Sequence, residues 1–351
     1  MLDRKEVTVN VERLLREYCQ TQITLAQQVG DRYVRMWEEI DQYLLSGGKR
    51  IRPYLTIFAY EAYGGSDTES ILSIASAWEL LHACLLVHDD IIDRDTIRHG
   101  KLNIAGKYQQ VYQKYSANDA PHYALSAALL AGDLLLSASY DMVNNSALNA
   151  EDKLGVQSYL HTAMFKVGGG ELLDVESVLF SIAEADTLAI CQYKTATYSF
   201  QLPLLCGANL AGAEKAELDK LEKLGLCLGI AFQLKDDLLG VFGQEATTGK
   251  SNRTDIFEKK RTYLLQTAIK HLPSDKAERL EKLYERRHVV TAGEAEDITT
   301  MIVESNADSK VQEQIQSYVA EALVLTESLA VSVKSKQIMT VLINKLAERV
   351  M

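Results

Sequence analysis

The chain has 351 residues, 47% hydrophobic and 24% charged, which is enough apolar material for one large core or two ordinary ones. A net charge of −11 argues against a nucleic-acid-binding surface. The five cysteines, at 19, 84, 191, 206 and 227, show no metal-ligand spacing and read as core positions of a protein in a reducing cytoplasm.

The N-terminus, Met-Leu-Asp-Arg-Lys-Glu, lacks a basic start followed by an apolar block, so no signal peptide is expected. Only four prolines punctuate long Leu/Ala/Glu/Lys-rich stretches, which predicts a mostly helical protein. Residues 1–45 are expected to form one or two amphipathic helices, stopped at Ser46-Gly47-Gly48. Helices should follow from Arg52 to Tyr63 and from Thr68 to Asp93, with residues 98–120 polar and loop-like but with room for some helix. The next two are predicted at 121–144 and 151–180. In the first, the apolar run Tyr123 to Leu136 is broken by Asp133 and is too short to span a bilayer. In the second, Gly168-Gly169-Gly170 is expected to interrupt the helix. Further helices are predicted at 184–211, 214–241, 258–271, 275–288, 293–304 and 308–350, with a polar loop at 243–257. No Pro/Ser-rich linker and no long strand-like alternation occur, so a single all-α domain over 1–351 is the expectation.

The richest stretch is Leu80 to Asp95, where an apolar run drives into Asp89, Asp90 and Asp93. Asp89 and Asp93 are four apart, so on a helix they share a face. Unpaired carboxylates there repel and lose hydration. Oxygen-only donors suit a hard divalent cation such as Mg²⁺, which in turn holds phosphates. A second acidic pair, Asp236-Asp237, follows the apolar run Leu221 to Phe232. Two such settings suggest half-sites with metal ions bridging phosphate oxygens between them. Cations for a diphosphate are available in Gly47-Gly48-Lys49-Arg50-Ile51-Arg52-Pro53, at Arg98, His99 and Lys101, and at Lys194, Lys250 and Lys259-Lys260-Arg261.

These motifs, in this order, resemble the trans-isoprenyl diphosphate synthases of the polyprenyl synthetase family. Asp89-Asp90-x-x-Asp93 resembles its first aspartate-rich motif. Gly47-Gly48-Lys49-x-x-Arg52-Pro53, with His82, resembles its grip on isopentenyl diphosphate, and Arg98 matches its allylic-diphosphate arginine. Lys194-Thr195, Phe232-Gln233, Asp236-Asp237, Lys250 and Lys260 fall where the family has allylic-site residues. The resemblance implies an isoprenoid-synthase-type orthogonal helical bundle around a central cavity, usually homodimeric, cytoplasmic and without a transmembrane segment. It also implies three Mg²⁺ ions held by Asp89 and Asp93 on one wall and Asp236 on the other. Lys194, Thr195 and Gln233 would line the allylic cation.

The chain departs from that pattern in several places. His99 stands where a second arginine is usual, so grip on isopentenyl diphosphate should weaken as pH rises above neutrality. The third Asp of the second motif is Gly240, Glu171 replaces a Gln while Asp174 is retained, and Lys259 replaces a Gly. Cys84 and Leu85, five and four residues before Asp89, leave the product passage more open than the aromatics of farnesyl-length enzymes. Trp78 lies eleven residues before Asp89, roughly 16 Å along a helix, and is a candidate floor giving geranylgeranyl diphosphate. Farnesyl or longer products, a terpene cyclase and a non-catalytic modulating subunit are the rival readings.

Overall fold

The computed structural model describes residues 3–98, 100–243, 254–285 and 288–348. They form two compact units, residues 1–160 with 206–212 and residues 161–205 with 213–351.

In the first unit, α1 (Arg4–Ala26) opens on a reciprocal cap in which Asp3 accepts from the Glu6 amide and Glu6 accepts from the Asp3 amide. After α2 (Asp31–Leu44), Gly47 and Gly48 take φ of +113° and +146°, a turn that lets α3 (Ile51–Ala62) start in a new direction. The central element is α4 (Thr68–Ile92), capped by Asp67 on the Ser70 amide. It is apolar nearly all round, as a core helix must be. Trp78, Leu80 and Leu81 are wholly buried, each contributing about 1.5–3 kcal/mol.

Beyond α4, the stretch expected to be loop with some helix opens on a small hairpin, β1 (Ile97–Arg98) against β2 (Lys101–Leu102), antiparallel with Arg98 opposite Lys101. It leads into α5 (Ile104–Gln113), capped by Asn103 on the Gly106 amide. α6 (Ala120–Asn144) packs along α4. By length and composition alone, α4 and α6 could each cross a membrane, with 78% and 44% of their most apolar stretches buried. The broken run at Asp133 therefore does not shorten α6 itself.

Helix α7 (Ala150–Ser177) runs unbroken through Gly168-Gly169-Gly170, against expectation. In the second unit come α8 (Thr187–Ile190), a π-helical stretch (Cys191–Gln201), α9 (Leu202–Leu210, whose last residues belong to the first unit) and α10 (Lys215–Phe242). The predicted helix at 184–211 is thus three segments. α11 (Thr254–Phe257), α12 (Tyr263–His271), α13 (Ser274–Leu283) and α14 (Ala292–Glu304) follow. The tail expected as one helix is two, α15 (Ala307–Ser328) and α16 (Val333–Glu348). The break is held from α10: Glu217 accepts from the Ala330 amide at 2.7 Å, and Lys220 donates to the Ser328 carbonyl at 2.7 Å. α10 itself packs against the π-helical stretch and α15. All five cysteines are buried free thiols.

Candidate active site

At the end of α4, Asp89 is half-buried, Asp90 buried and Asp93 exposed. The carboxylates gather at a helix C-terminus, where the backbone dipole is already negative. Arg98, presented by β1, answers them: its Nε donates to Asp90 Oδ1 at 2.7 Å and its Nη2 to Asp89 Oδ2 at 2.8 Å. Burial pushes the Asp90 carboxyl up, and the Arg98 hydrogen bond pulls it back. The Tyr43 hydroxyl from α2 stands among these charges, and burial, then Asp90, raise its pKa. Sequence reasoning missed Tyr43, because a tyrosine in an amphipathic helix carries no signal of its own.

The grip segment is placed as follows. Lys49 is exposed ahead of α3 and its carbonyl accepts from Arg4 Nη2 at 3.0 Å. Arg52 is buried on the first turn of α3, and His82 is half-buried on α4. Arg50, counted among the cations of this segment, turns inward instead: Nη1 meets Glu79 Oε1 at 2.6 Å and Nη2 the Leu44 carbonyl at 2.6 Å. Its guanidinium is buried with those partners. Higher on α4, Cys84 is buried with its thiol pushed up to about 12, by burial and then the Asp133 charge. Leu85 is half-buried, and Trp78 lies in the core beside the Cys206 thiol.

The second unit assembles the other set. Lys194 and Thr195 lie on the π-helical stretch, a rare geometry often found where side chains must be re-aimed. Lys194 Nζ meets Asp174 Oδ2 at 2.6 Å and Glu171 Oε2 at 3.0 Å, so one ammonium sits between two carboxylates from α7. Gly170 permits this approach, since a Cβ there would fall 2.4 Å from the Lys194 nitrogen. Gly168 and Gly169 have nothing near them. Thr195 Oγ1 donates to Gln233 Oε1 at 2.9 Å, and Gln233 Nε2 donates to Asp237 Oδ1 at 3.0 Å. The line of polar groups therefore runs from the π-helical stretch to α10.

Asp236 is half-buried, whereas Asp237 is 4% exposed. Burial, then the charges of Asp255 and Asp236, push the Asp237 carboxyl up to about 7, against the Gln233 hydrogen bond. Lys260 Nζ lies 2.8 Å from Glu258 and 3.6 Å from Asp255. Lys259 adopts φ +53°, a conformation that suits glycine; its ammonium donates to the Glu285 carbonyl at 2.6 Å and to the His288 carbonyl. Those bonds offset the strain of a side chain where a glycine is usual. His99 and Lys250 lie outside the described residues.

The donors fit a magnesium-bridged phosphate. Every candidate ligand, Asp89, Asp93 and Asp236, offers carboxylate oxygens, the donors a hard cation prefers. Among the described residues, no group of three His, Cys, Asp or Glu could cage a metal alone. Mg²⁺ commonly takes only one or two carboxylates, with phosphate and water completing its shell. An all-α chain carrying two oxygen-only acidic banks beside cations has the equipment of a phosphate-handling enzyme.

Comparison with known proteins agrees. The polyprenyl synthetase family matches residues 34–302. A short chain isoprenyl diphosphate synthase of Methanocaldococcus jannaschii is 30% identical over 259 residues, 74% of this chain and 74% of that protein. A geranylfarnesyl diphosphate synthase of Aeropyrum pernix is 29% identical over 312 residues, 87% of this chain and 91% of that protein. The crystal structure of a Corynebacterium glutamicum geranylgeranyl pyrophosphate synthase, complexed with isoprenyl diphosphate and magnesium, matches with a TM-score of 0.91 at 30% identity, over 99% of this chain and 100% of that one. The chain belongs to the polyprenyl synthetase family and is an enzyme, a trans-prenyltransferase.

Proposed function

We propose that the protein condenses isopentenyl diphosphate with an allylic diphosphate, with geranylgeranyl diphosphate as the main product, and works as a single catalytic domain. The observation that supports this best is the pair of acidic banks, Asp89/Asp93 and Asp236, in a chain so similar to a synthase crystallised with isoprenyl diphosphate and magnesium. Three Mg²⁺ ions, when bound by these aspartates and the substrate, would supply positive charge that stabilises the departing diphosphate. Arg98, Lys194, Lys250 and Lys260 hold that diphosphate directly. The Thr195 hydroxyl spends its proton on Gln233 and so keeps its lone pairs for developing positive charge. Lys49, Arg52, His82 and His99 hold the isopentenyl diphosphate, whose double bond attacks the allylic carbon. The proton lost afterwards goes to the released diphosphate.

The test is to incubate the purified protein with Mg²⁺, isopentenyl diphosphate and each allylic primer, and to resolve the products by chain length. Geranylgeranyl diphosphate should dominate, and EDTA should abolish turnover. Activity only on adding a second subunit would indicate a modulating subunit, and cyclic products without isopentenyl diphosphate a cyclase.

We assign product length to Cys84, Leu85 and Trp78, with Trp78 as the floor. Trp78→Ala should shift the product distribution towards longer chains, while costing about 3–5 kcal/mol of stability because the side chain is wholly buried. Lost stability with an unchanged distribution would make Trp78 a packing residue only.

The enzyme acts in the cytoplasm as a homodimer. α6 leaves Tyr123, Leu125, Leu129 and Leu130 exposed, an apolar surface that a second copy would cover. Light scattering at micromolar concentration should give twice the chain mass, and Leu129→Lys with Leu130→Lys should give a monomer. A monomeric parent protein would refute the assembly.

A further inference from the structure

Position 240 and Asp255 share one place. A Cβ added to Gly240 would lie 1.9 Å from Asp255 Oδ2 and 2.4 Å from Asp255 Cγ. The carboxylate of α11 thus rests directly on the backbone of α10. Gly240 is one helical turn beyond Asp236, so a side chain at 240 would project beside that of Asp236. A glycine leaves the spot vacant on α10, and the Asp255 carboxylate fills it.

Asp255 is held there from both ends. Its carbonyl accepts from the Lys260 amide at 2.9 Å, and its Oδ1 lies 3.6 Å from Lys260 Nζ. The neighbouring Ile256 is wholly buried, and the Asp255 side chain is only 15% exposed. So the carboxylate lies against the turn of α10 that follows Asp236.

We propose that Asp255 supplies, from α11, the carboxylate that position 240 of α10 lacks, and that it positions the magnesium-bound diphosphate held through Asp236. The inference rests on the proposed function of the aspartate banks. On this reading the third acidic group of the second bank comes from a different element.

Binding of inorganic pyrophosphate, titrated calorimetrically at a series of Mg²⁺ concentrations, tests this without turnover. Asp255→Asn should weaken Mg²⁺-dependent pyrophosphate binding about 10- to 100-fold, the range for residues that support metal ligands. Gly240→Ala should do likewise, because its methyl group would displace the carboxylate while leaving Asp255 in the chain. The exchange Gly240→Asp with Asp255→Gly should recover most of the affinity, which a merely structural role for Asp255 would not predict. Unchanged binding in both single variants, with the parent binding normally, would overturn the role of Asp255 alone. A parent protein that takes up no pyrophosphate with Mg²⁺ would overturn the proposed function and this inference with it.

Discussion

Asp89→Asn and Asp236→Asn should each lower kcat by about 10²–10³-fold, equivalent to about 2.7–4 kcal/mol of lost transition-state stabilisation. The substitution keeps the side chain's shape and removes its charge, so the loss reports the charge. At Asp89 the surroundings are spared, because Arg98 retains its 2.7 Å bond to the buried Asp90. At Asp236 the change removes a like charge beside Asp237, so the metal-free protein should be no less stable. Steady-state rates measured over a range of Mg²⁺ should show both variants needing more metal, with thermal midpoints close to the parent's. Rates within about threefold of the parent in both variants would remove the aspartate banks from the chemistry. A loss confined to one would make that bank alone the catalytic one.

The gathering of Asp89, Asp90 and Asp93 at one helix end was legible in sequence because its signal is local. An apolar helix that ends in Asp89, Asp90 and Asp93 announces a charge problem, and helix spacing puts two of the three on one face. The helical order was legible for the same reason, since apolar periodicity is written residue by residue. What escaped depended on distant partners. The triplet at Gly168 to Gly170 looked like a break, yet a helix tolerates glycines at about 1 kcal/mol each, and Gly170 serves contact with the Lys194 backbone. The tail divides because Glu217 and Lys220, more than a hundred residues earlier, bind the backbone at 328–330. The π-helical course of Cys191 to Gln201 leaves no mark, because its residues are those of an ordinary helix. Asp255 gave no signal either: a lone Asp in a polar loop acquires meaning only once α11 folds onto Gly240.

The same limit governs Arg50, whose sequence neighbours suggest phosphate binding and whose structural neighbours engage its guanidinium instead. Its side chain is 4% exposed and that of Glu79 6%, with 2.6 Å between Nη1 and Oε1. A second carboxylate, Glu12, lies 3.1 Å from Nη2. The residue holds a left-handed φ of +47° at the start of α3, which the fixed guanidinium helps to secure. Arg50→Met would leave Glu79 buried without its counter-charge, so unfolding should become easier by about 3–5 kcal/mol. The double change Arg50→Met with Glu79→Leu removes the stranded charge and should recover most of that loss. Chemical denaturation of the two variants and the parent, without substrate, reads this directly. A stable Arg50→Met variant that binds isopentenyl diphosphate poorly would return Arg50 to the substrate site. A destabilised variant with parental affinity leaves Lys49 and Arg52 as the cations of the grip, with Arg50 as the clamp that holds α3, α1 and α4 together beneath them.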